Sequence, residues 1–383
     1  MPTSPSRTTR KAPAVKTQQG TPKSNGKKRV AIACQGGGSQ TAFTAGVLRG
    51  LFEAGAHEEF DIVGISGTSG GAICATLAWV SLVQGDAQPW QRLYDFWHDN
   101  AAKSPVERAF NETLVRTMRL TNAGRIPSLS VSPSSPMMQM MLKASTRNLR
   151  PLFTDFRGLL EKHIKFAELA AWGALPEQPA LVLGAVDTLS GRLAKFCSTR
   201  EAIRVEHLLA SCAVPNIFPA VELDGAAYWD GLFSDNPPIS ELVQSRYVGA
   251  ARIPQELWVI KINPTSTDTI PTTADQISDR RNELIGNVSL FQQLDALRVM
   301  NDLYLKGAFA PAFAKRFDLN GPIRIPKCYF EDEESSYTMP FIEMSAEFGA
   351  SLDYESKIDR SIEHIEALMA DGVKQAAVFL AAR

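Results

Sequence analysis

Three clusters in the sequence hold residues whose types and spacing could do chemistry. The first is Gly67-Thr68-Ser69-Gly70-Gly71, a G-x-S-x-G pentapeptide. A serine flanked by glycines suits a tight strand-to-helix turn, where the hydroxyl projects from strained backbone and only small neighbours avoid collision. A helix beginning at Gly70 would aim its unpaired N–H groups and positive dipole end at the same point. Such a serine is a nucleophile for acyl transfer; the competing reading is a glycine-rich turn without chemistry. Ser66 fits less well, because Gly64-Ile65-Ser66-Gly67-Thr68 lacks the closing glycine. The second cluster is Gly36-Gly37-Gly38, where three glycines let N–H groups converge on one anion, as an oxyanion hole requires. A dinucleotide loop would need G-x-G-x-x-G and a P-loop would need Gly-Lys-Ser/Thr, and this loop has neither. The third runs Tyr228-Trp229-Asp230-Gly231-Leu232-Phe233-Ser234-Asp235-Asn236-Pro237-Pro238. Asp230 ends an apolar stretch, and Asn236-Pro237 reads as the opening of a helix with proline in its first turn. On its own, this Asp-Gly is better explained as a cap or a turn than as catalysis.

The flanking segments predict how these clusters are carried. Arg29–Cys34 reads as a buried parallel strand that feeds the glycine loop. Ala42, Phe43, Ala45, Val47, Leu48, Leu51 and Phe52 then recur at helical spacing until Gly55 stops the helix. A second strand, Phe60–Ile65, leads into the serine turn, and an apolar helix from Ala72 to about Val83 follows. This alternation implies right-handed crossovers and an α/β sheet covered on both faces. Residues 89–170 read as mostly helical, interrupted by the Ser/Pro/Met-rich stretch Pro127–Met141, a candidate cap over a site. Strand signals return at 180–186, 193–196, 220–223 and 226–229, with Asp224-Gly225 as a hairpin turn, and again at 257–262. A long helix is expected over 275–305 and a terminal one from about Tyr354 to Ala382.

Composition narrows the function classes. The formal charge of −1 hides an asymmetry: the first 29 residues carry eight Lys/Arg and no acid, which leaves a body of about −9. An acidic body argues against nucleic acid as a partner, since phosphate binding needs a basic face. Residues 1–28 have few large apolar side chains and are expected to be a disordered basic tail, able to meet an anionic membrane surface. The longest apolar run, Ala72 to Val83, is too short to span a bilayer, and no apolar segment marks a secretory signal. Cys34, Cys74, Cys197, Cys212 and Cys328 form neither a zinc pattern nor a disulfide framework, which fits reduced thiols in a cytoplasmic protein.

Taken together, a glycine-rich donor loop, a serine elbow and a later Asp-Gly resemble the patatin-like phospholipase family over about residues 29 to 262. Gly36-Gly37-Gly38 with Gly46-Val47-Leu48 resembles its oxyanion loop and first helix, and Gly67–Gly71 its nucleophile elbow. Ala185-Val186-Asp187-Thr188-Leu189-Ser190-Gly191 is similar to its middle strand and turn. Ser211-Cys212-Ala213-Val214-Pro215-Asn216-Ile217-Phe218-Pro219 is similar to the stretch before its catalytic aspartate, and Asp230-Gly231 to the aspartate motif itself. Two departures stand out: Gln40 and Thr41 occupy positions where the family usually has a basic residue and a glycine, and Leu232 follows Asp230-Gly231 where Gly or Ala is usual.

The resemblance implies a three-layer α/β/α sandwich with a mostly parallel central sheet, in one domain over residues 29–383. It implies a Ser69–Asp230 dyad, with an oxyanion hole from Gly36, Gly37, Gly38 and Gly70, and no metal or cofactor. Membrane or micellar (lyso)phospholipid is the implied substrate, met peripherally from the cytoplasm. A histidine triad of Ser69, Asp187 and His207 or His364 is the alternative arrangement. Met137, Met138, Met140 and Met141 could line an acyl groove, although such stripes are more often core. The competing functions are a soluble esterase or thioesterase, and a lipid- or partner-binding protein of the same fold that no longer catalyses.

Overall fold

The computed structural model describes residues 26–127, 132–169, 177–215, 217–316, 321, 323 and 341–383. Most of the basic tail, residues 1–25, lies outside the described residues, as do Asn216, Cys328 and part of the candidate cap, residues 128–131. Seven strands form one sheet: β1 (Arg29–Cys34), β2 (Asp61–Gly67), β3 (Ala180–Asp187), β4 (Leu193–Cys197), β5 (Val221–Leu223), β6 (Ala226–Asp230) and β7 (Glu256–Ile260). The central run β3-β2-β1-β7 is parallel, while β4 and β6 pair antiparallel with β3, and β5 with β6. Asp224 (φ 51) and Gly225 (φ 83) both take positive φ in the β5–β6 hairpin, as the Asp-Gly signal requires.

Strand alternation builds the two outer layers. On β1, Val30, Ile32 and Cys34 join one buried cluster, packed with the first helix (Ala42–Glu53), the helix after the serine turn (Gly70–Gln84) and the C-terminal helix (Ile362–Ala381). Ala31 and Ala33 point the other way, into a cluster with Ile239, Leu242 and the long helix Ala274–Leu305, which contributes Leu290, Leu294 and Leu297. Successive side chains of a strand face opposite sides, so one apolar hexapeptide holds both layers together.

Pairing around β3 is what brings the candidate site together. β4 runs along one edge of β3 from Val182 to Val186. β2 therefore shares the opposite edge with β6, β2 pairing up to Leu183 (opposite Gly67) and β6 from Ala185 (opposite Asp230). β2 and β6 run towards each other and end two residues apart along β3, roughly 7 Å at the rise of an extended chain. The serine turn and Asp230 are the two ends that meet there.

Two expectations are corrected. No helix opens at Asn236-Pro237. The Ile239 and Ser240 N–H groups donate instead to Gln293 Oε1 of the long helix (2.7 and 3.0 Å), so they are not available to a helical ladder. The C-terminal helix starts at Ile362, not near 354, and is preceded by a separate 3-10 turn, Tyr354–Lys357. The helix Pro136–Thr146 has no buried residue, and Met137, Met140 and Met141 are 58%, 68% and 57% exposed, so this methionine stripe is not core.

Candidate active site

β2 runs buried to Gly67 and delivers Ser69 at φ 55, ψ −131. This conformation costs a non-glycine residue about 1–3 kcal/mol and persists only where the surroundings over-determine it. They do so here. The Ser69 N–H donates to Ser211 Oγ (3.1 Å), and the Ser211 hydroxyl donates in turn to the Gly184 carbonyl of β3 (2.7 Å). Thr68 Oγ1 donates to the Asp235 carbonyl (2.6 Å), and the Ser69 carbonyl accepts from Ala72 N (2.8 Å), opening the next helix. Ser66 is buried and its hydroxyl is spent on the Pro238 carbonyl, which makes it a structural residue.

Asp230 is fully buried at the end of β6. Its backbone N–H donates to the Ala213 carbonyl (3.0 Å), and Oδ1 accepts from Leu232 N (2.8 Å). Burial pushes its carboxyl up to about 7, while the Leu232 N–H and the Ser69 hydroxyl pull it down. Ser69 is thus close enough to act on this group, yet Oδ2 has no hydrogen bond of standard geometry.

The glycine loop faces this pair, but its three glycines are not equivalent. The Gly36 N–H is already committed to Asn236 Oδ1 (2.7 Å), so Gly36 fixes the loop rather than offering a donor to an oxyanion. A Cβ on Gly36 would lie 3.0 Å from Ser69 Cβ, which records how closely loop and elbow approach. The Gly37, Gly38 and Gly70 N–H groups have no acceptor among the described residues. Gly38 sits at φ +57 with Lys357's carbonyl where a Cβ would be, so only glycine fits. Gln40 and Thr41, the two departures in this loop, both have structural work. Gln40 Nε2 donates to Ser356 Oγ (2.7 Å) and to the Asp353 carbonyl (3.2 Å), and Thr41 Oγ1 donates to the Gly38 carbonyl (2.6 Å).

A buried amide network missed by sequence reasoning supports the loop. Gln35 accepts from the N–H groups of Ile262 and Asn263 (both 2.8 Å) and donates to Gly286 O (3.0 Å) and Asn287 Oδ1 (2.9 Å). Gln293 holds Ile239, Ser240 and the Pro237 carbonyl (3.0 Å), and Ser289 Oγ accepts from Asn236 N (2.9 Å). The only signal in the sequence was polar residues on the inner face of an otherwise ordinary helix. Gln35→Leu strands several buried polar groups at once, and the expected loss is roughly 2–3 kcal/mol of stability, read in a urea melt. An unchanged midpoint would refute this role for the amide.

The five histidines are elsewhere. His207 stacks on Phe196 (4.3 Å between centroids), accepts from Arg204 N (3.1 Å), and is driven down to about 4 mainly by burial. His364 contacts the Ser356 carbonyl (3.1 Å), and His163 contacts Asp99 (3.0 Å). His57 lies against Phe52, and His98 against Tyr94. Asp187 is turned onto its own loop, accepting from Leu189 N (2.9 Å) and Ser190 Oγ (2.5 Å), as a turn-fixing residue does. A groove of about 450 Å³ lined by Ser345, Phe348, Asp371 and Lys374 includes neither Ser69 nor Asp230.

Comparison with known proteins bears on this constellation. Among solved structures the chain resembles VipD from Legionella pneumophila, at 14% identity and TM-score 0.37, with 89% of this chain and 67% of that chain covered. It also resembles the ExoU–SpcU complex of the type III secretion system of Pseudomonas aeruginosa, at 15% identity and TM-score 0.27, covering 77% and 57%. No curated protein matches by sequence. The family model described as patatin-like phospholipase matches residues 32–243, more than half of the chain. That match runs from β1 past Asn236 and takes in the glycine loop, the serine turn and Asp230, so the chain belongs to the patatin-like phospholipase family, a family of lipid acyl hydrolases.

Proposed function

We propose that the chain is a serine acyl hydrolase that cleaves (lyso)phospholipid or related acyl esters through a Ser69–Asp230 dyad. The observation that carries this reading is the strained Ser69 facing a buried, desolvated Asp230 where β2 and β6 converge on β3. Ionised Asp230 takes the Ser69 hydroxyl proton as Oγ attacks the ester carbonyl. The N–H groups of Gly37, Gly38 and Gly70 receive the oxyanion; losing one such donor costs roughly 3 kcal/mol of transition-state stabilisation. The tetrahedral intermediate collapses, the C–O bond to the alcohol breaks, and the proton on Asp230 leaves with that alcohol. Water then attacks the acyl-enzyme, giving its proton to Asp230, and the carboxylic acid is released with Ser69 reprotonated.

A carboxylate can serve as base at neutral pH because burial has raised its affinity for a proton to about 7. Exposed apolar side chains just past Asp230 and on the segment after Ala213, whose carbonyl holds Asp230 N, suit a lipid substrate: Phe233 is 54% exposed, Ile217 48% and Phe218 42%. Among the described residues no helix is long and apolar enough to cross a membrane. The reading is of a cytoplasmic enzyme that meets a lipid surface peripherally, with the basic tail adding attraction to anionic lipid.

Fluorophosphonate labelling tests the nucleophile. Wild type should label covalently and hydrolyse defined phospholipid vesicles; Ser69→Ala, folded by circular dichroism, should do neither. Failure of the folded wild type to label would overturn the enzymatic reading. Turnover of short p-nitrophenyl esters with none of any phospholipid would move the substrate to a soluble acyl ester.

A further inference from the structure

The 3-10 turn Tyr354–Lys357 lies far along the chain from the glycine loop and outside the family match, yet it packs directly on the loop. Four side chains fix it and the residue before it. Gln40 bonds Ser356 Oγ and the Asp353 carbonyl, and His364 contacts the Ser356 carbonyl (3.1 Å). Arg119 bonds Asp353 (2.6 Å), and Asn122 bonds Glu355. The carbonyl of Lys357 occupies the space beside Gly38, and Lys357 Cβ would lie 3.2 Å from a Cβ built on Gly38. From there the side chain runs to Asn263, where Nζ donates to Oδ1 (2.6 Å). Asn263 is itself tied to the loop, since its N–H and that of Ile262 are both held by Gln35.

Among the described residues, no carboxylate pairs with this ammonium. It is half-buried and has a neutral amide as its hydrogen-bond partner. Charged groups of two elements among the described residues face it. Asp279 and Glu283 of the long helix act on it from a distance, and Glu283 is paired with Arg280 (2.9 Å). Its own turn supplies the Tyr354 ring, whose centroid is 5.3 Å from Nζ, together with Glu355 and the Arg119-paired Asp353. Burial lowers the ammonium to about 8, against the pull of Glu283 and Asp279. A positive charge left without an ion pair in a partly desolvated place acts over distance far more strongly than one in water. The main chain and Cβ of Lys357 lie against Gly38, beside which the proposed reaction develops its oxyanion.

We propose that Lys357 is a positioning residue for the acyl-transfer site: its main chain braces Gly38, and its ammonium supplies positive potential behind the oxyanion loop. The inference rests on the acyl-transfer reading above. It adds a residue from the C-terminal part of the chain to a site otherwise built from residues 36 to 236.

The test compares Lys357→Met, which keeps the stem and removes the charge, with Lys357→Arg, which keeps a charge that does not titrate below pH 12. On a neutral short-chain ester, Lys357→Met should lower kcat about tenfold with little change in KM, and Lys357→Arg should recover most of it. A direct oxyanion donor is worth more, roughly a hundredfold or above. The pH profile carries the sharper signature. Wild-type activity should fall as pH rises through about 8, the value at which the ammonium loses its proton. That alkaline limb should be missing from Lys357→Met and displaced upwards in Lys357→Arg. A brace alone would lower stability and leave the limb where it is. Wild-type kcat and limb in a folded Lys357→Met, with Ser69 still labelling, would overturn this inference and leave the dyad standing. A wild type that neither labels nor turns over ester would overturn both.

Discussion

Replacing Asp230 with asparagine should abolish ester turnover and at the same time make the protein harder to unfold. Both effects follow from one buried carboxyl. In the unfolded chain it ionises near its ordinary value of 3.8, and in the folded chain only at about 7. Between those values the folded state keeps a proton that the unfolded state has lost. Stability therefore falls as pH rises through this window, and the loss is complete above about pH 7. At roughly 1.4 kcal/mol per unit, the penalty at pH 8 approaches a ceiling of about 4 kcal/mol. Asparagine keeps the shape and the bond from Leu232 N, and its amide can reach the Ser69 oxygen, so most of that penalty is relieved. Urea melts should put Asp230→Asn about 2–4 kcal/mol above wild type at pH 8 and level with it near pH 4. Activity has the opposite sign: wild-type kcat should rise through about pH 7 as Asp230 ionises, and the variant should be inactive throughout. Equal stabilities at pH 8, or turnover retained by the variant, would contradict this account.

The second large effect is expected far from the chemistry, at Gly46. The first helix and the C-terminal helix meet backbone to backbone. A Cβ on Gly46 would collide with Met369's carbonyl oxygen and lie 2.7 Å from its Cα, and one on Gly372 would lie 2.7 Å from Val47 N. The buried Phe43, Val47, Leu48 and Leu51 on one side and Ile365, Leu368 and Met369 on the other depend on that approach. Overpacking usually costs about 1–3 kcal/mol because side chains can shift, but here the colliding atoms are backbone of a second helix. Gly46→Leu should cost about 4 kcal/mol or more in a urea melt, despite leucine's better helix propensity. It should also reduce turnover, because His364 and the turn at Ser356–Lys357 move with the C-terminal helix. A Gly46→Leu protein with wild-type stability would mean that the two helices are not packed this closely.

Much of the site's local form is legible in the sequence, and the reason is range. β1, β2 and the two glycine-rich turns depend on residues within a few positions of one another. A buried hexapeptide strand followed by Gln35-Gly36-Gly37-Gly38, or a strand that runs into Gly67–Gly71, states its own conformation. The Asp224-Gly225 hairpin is legible on the same ground. The Asn236-Pro237 helix fails because a side chain 53 to 54 residues away, Gln293, takes the N–H groups that a helix would need. The C-terminal helix begins later than expected because residues 353–357 are drawn into contacts with Gln40, Arg119 and Asn122.

The sequence alone determined that a serine elbow follows a strand and that a glycine loop precedes it, since backbone strain and small residues are local properties. Only the tertiary structure decided what these pieces meet. The head-on approach of β2 and β6 along β3 brings the Asp230 end of β6 towards the Ser69 turn, 161 residues apart in the chain, and buries the carboxyl. Tertiary contacts also commit the Gly36 N–H to Asn236 Oδ1 and bring Lys357 beside Gly38. Burial and hydrogen-bond commitment are properties of a neighbourhood, and no spacing within one segment records them.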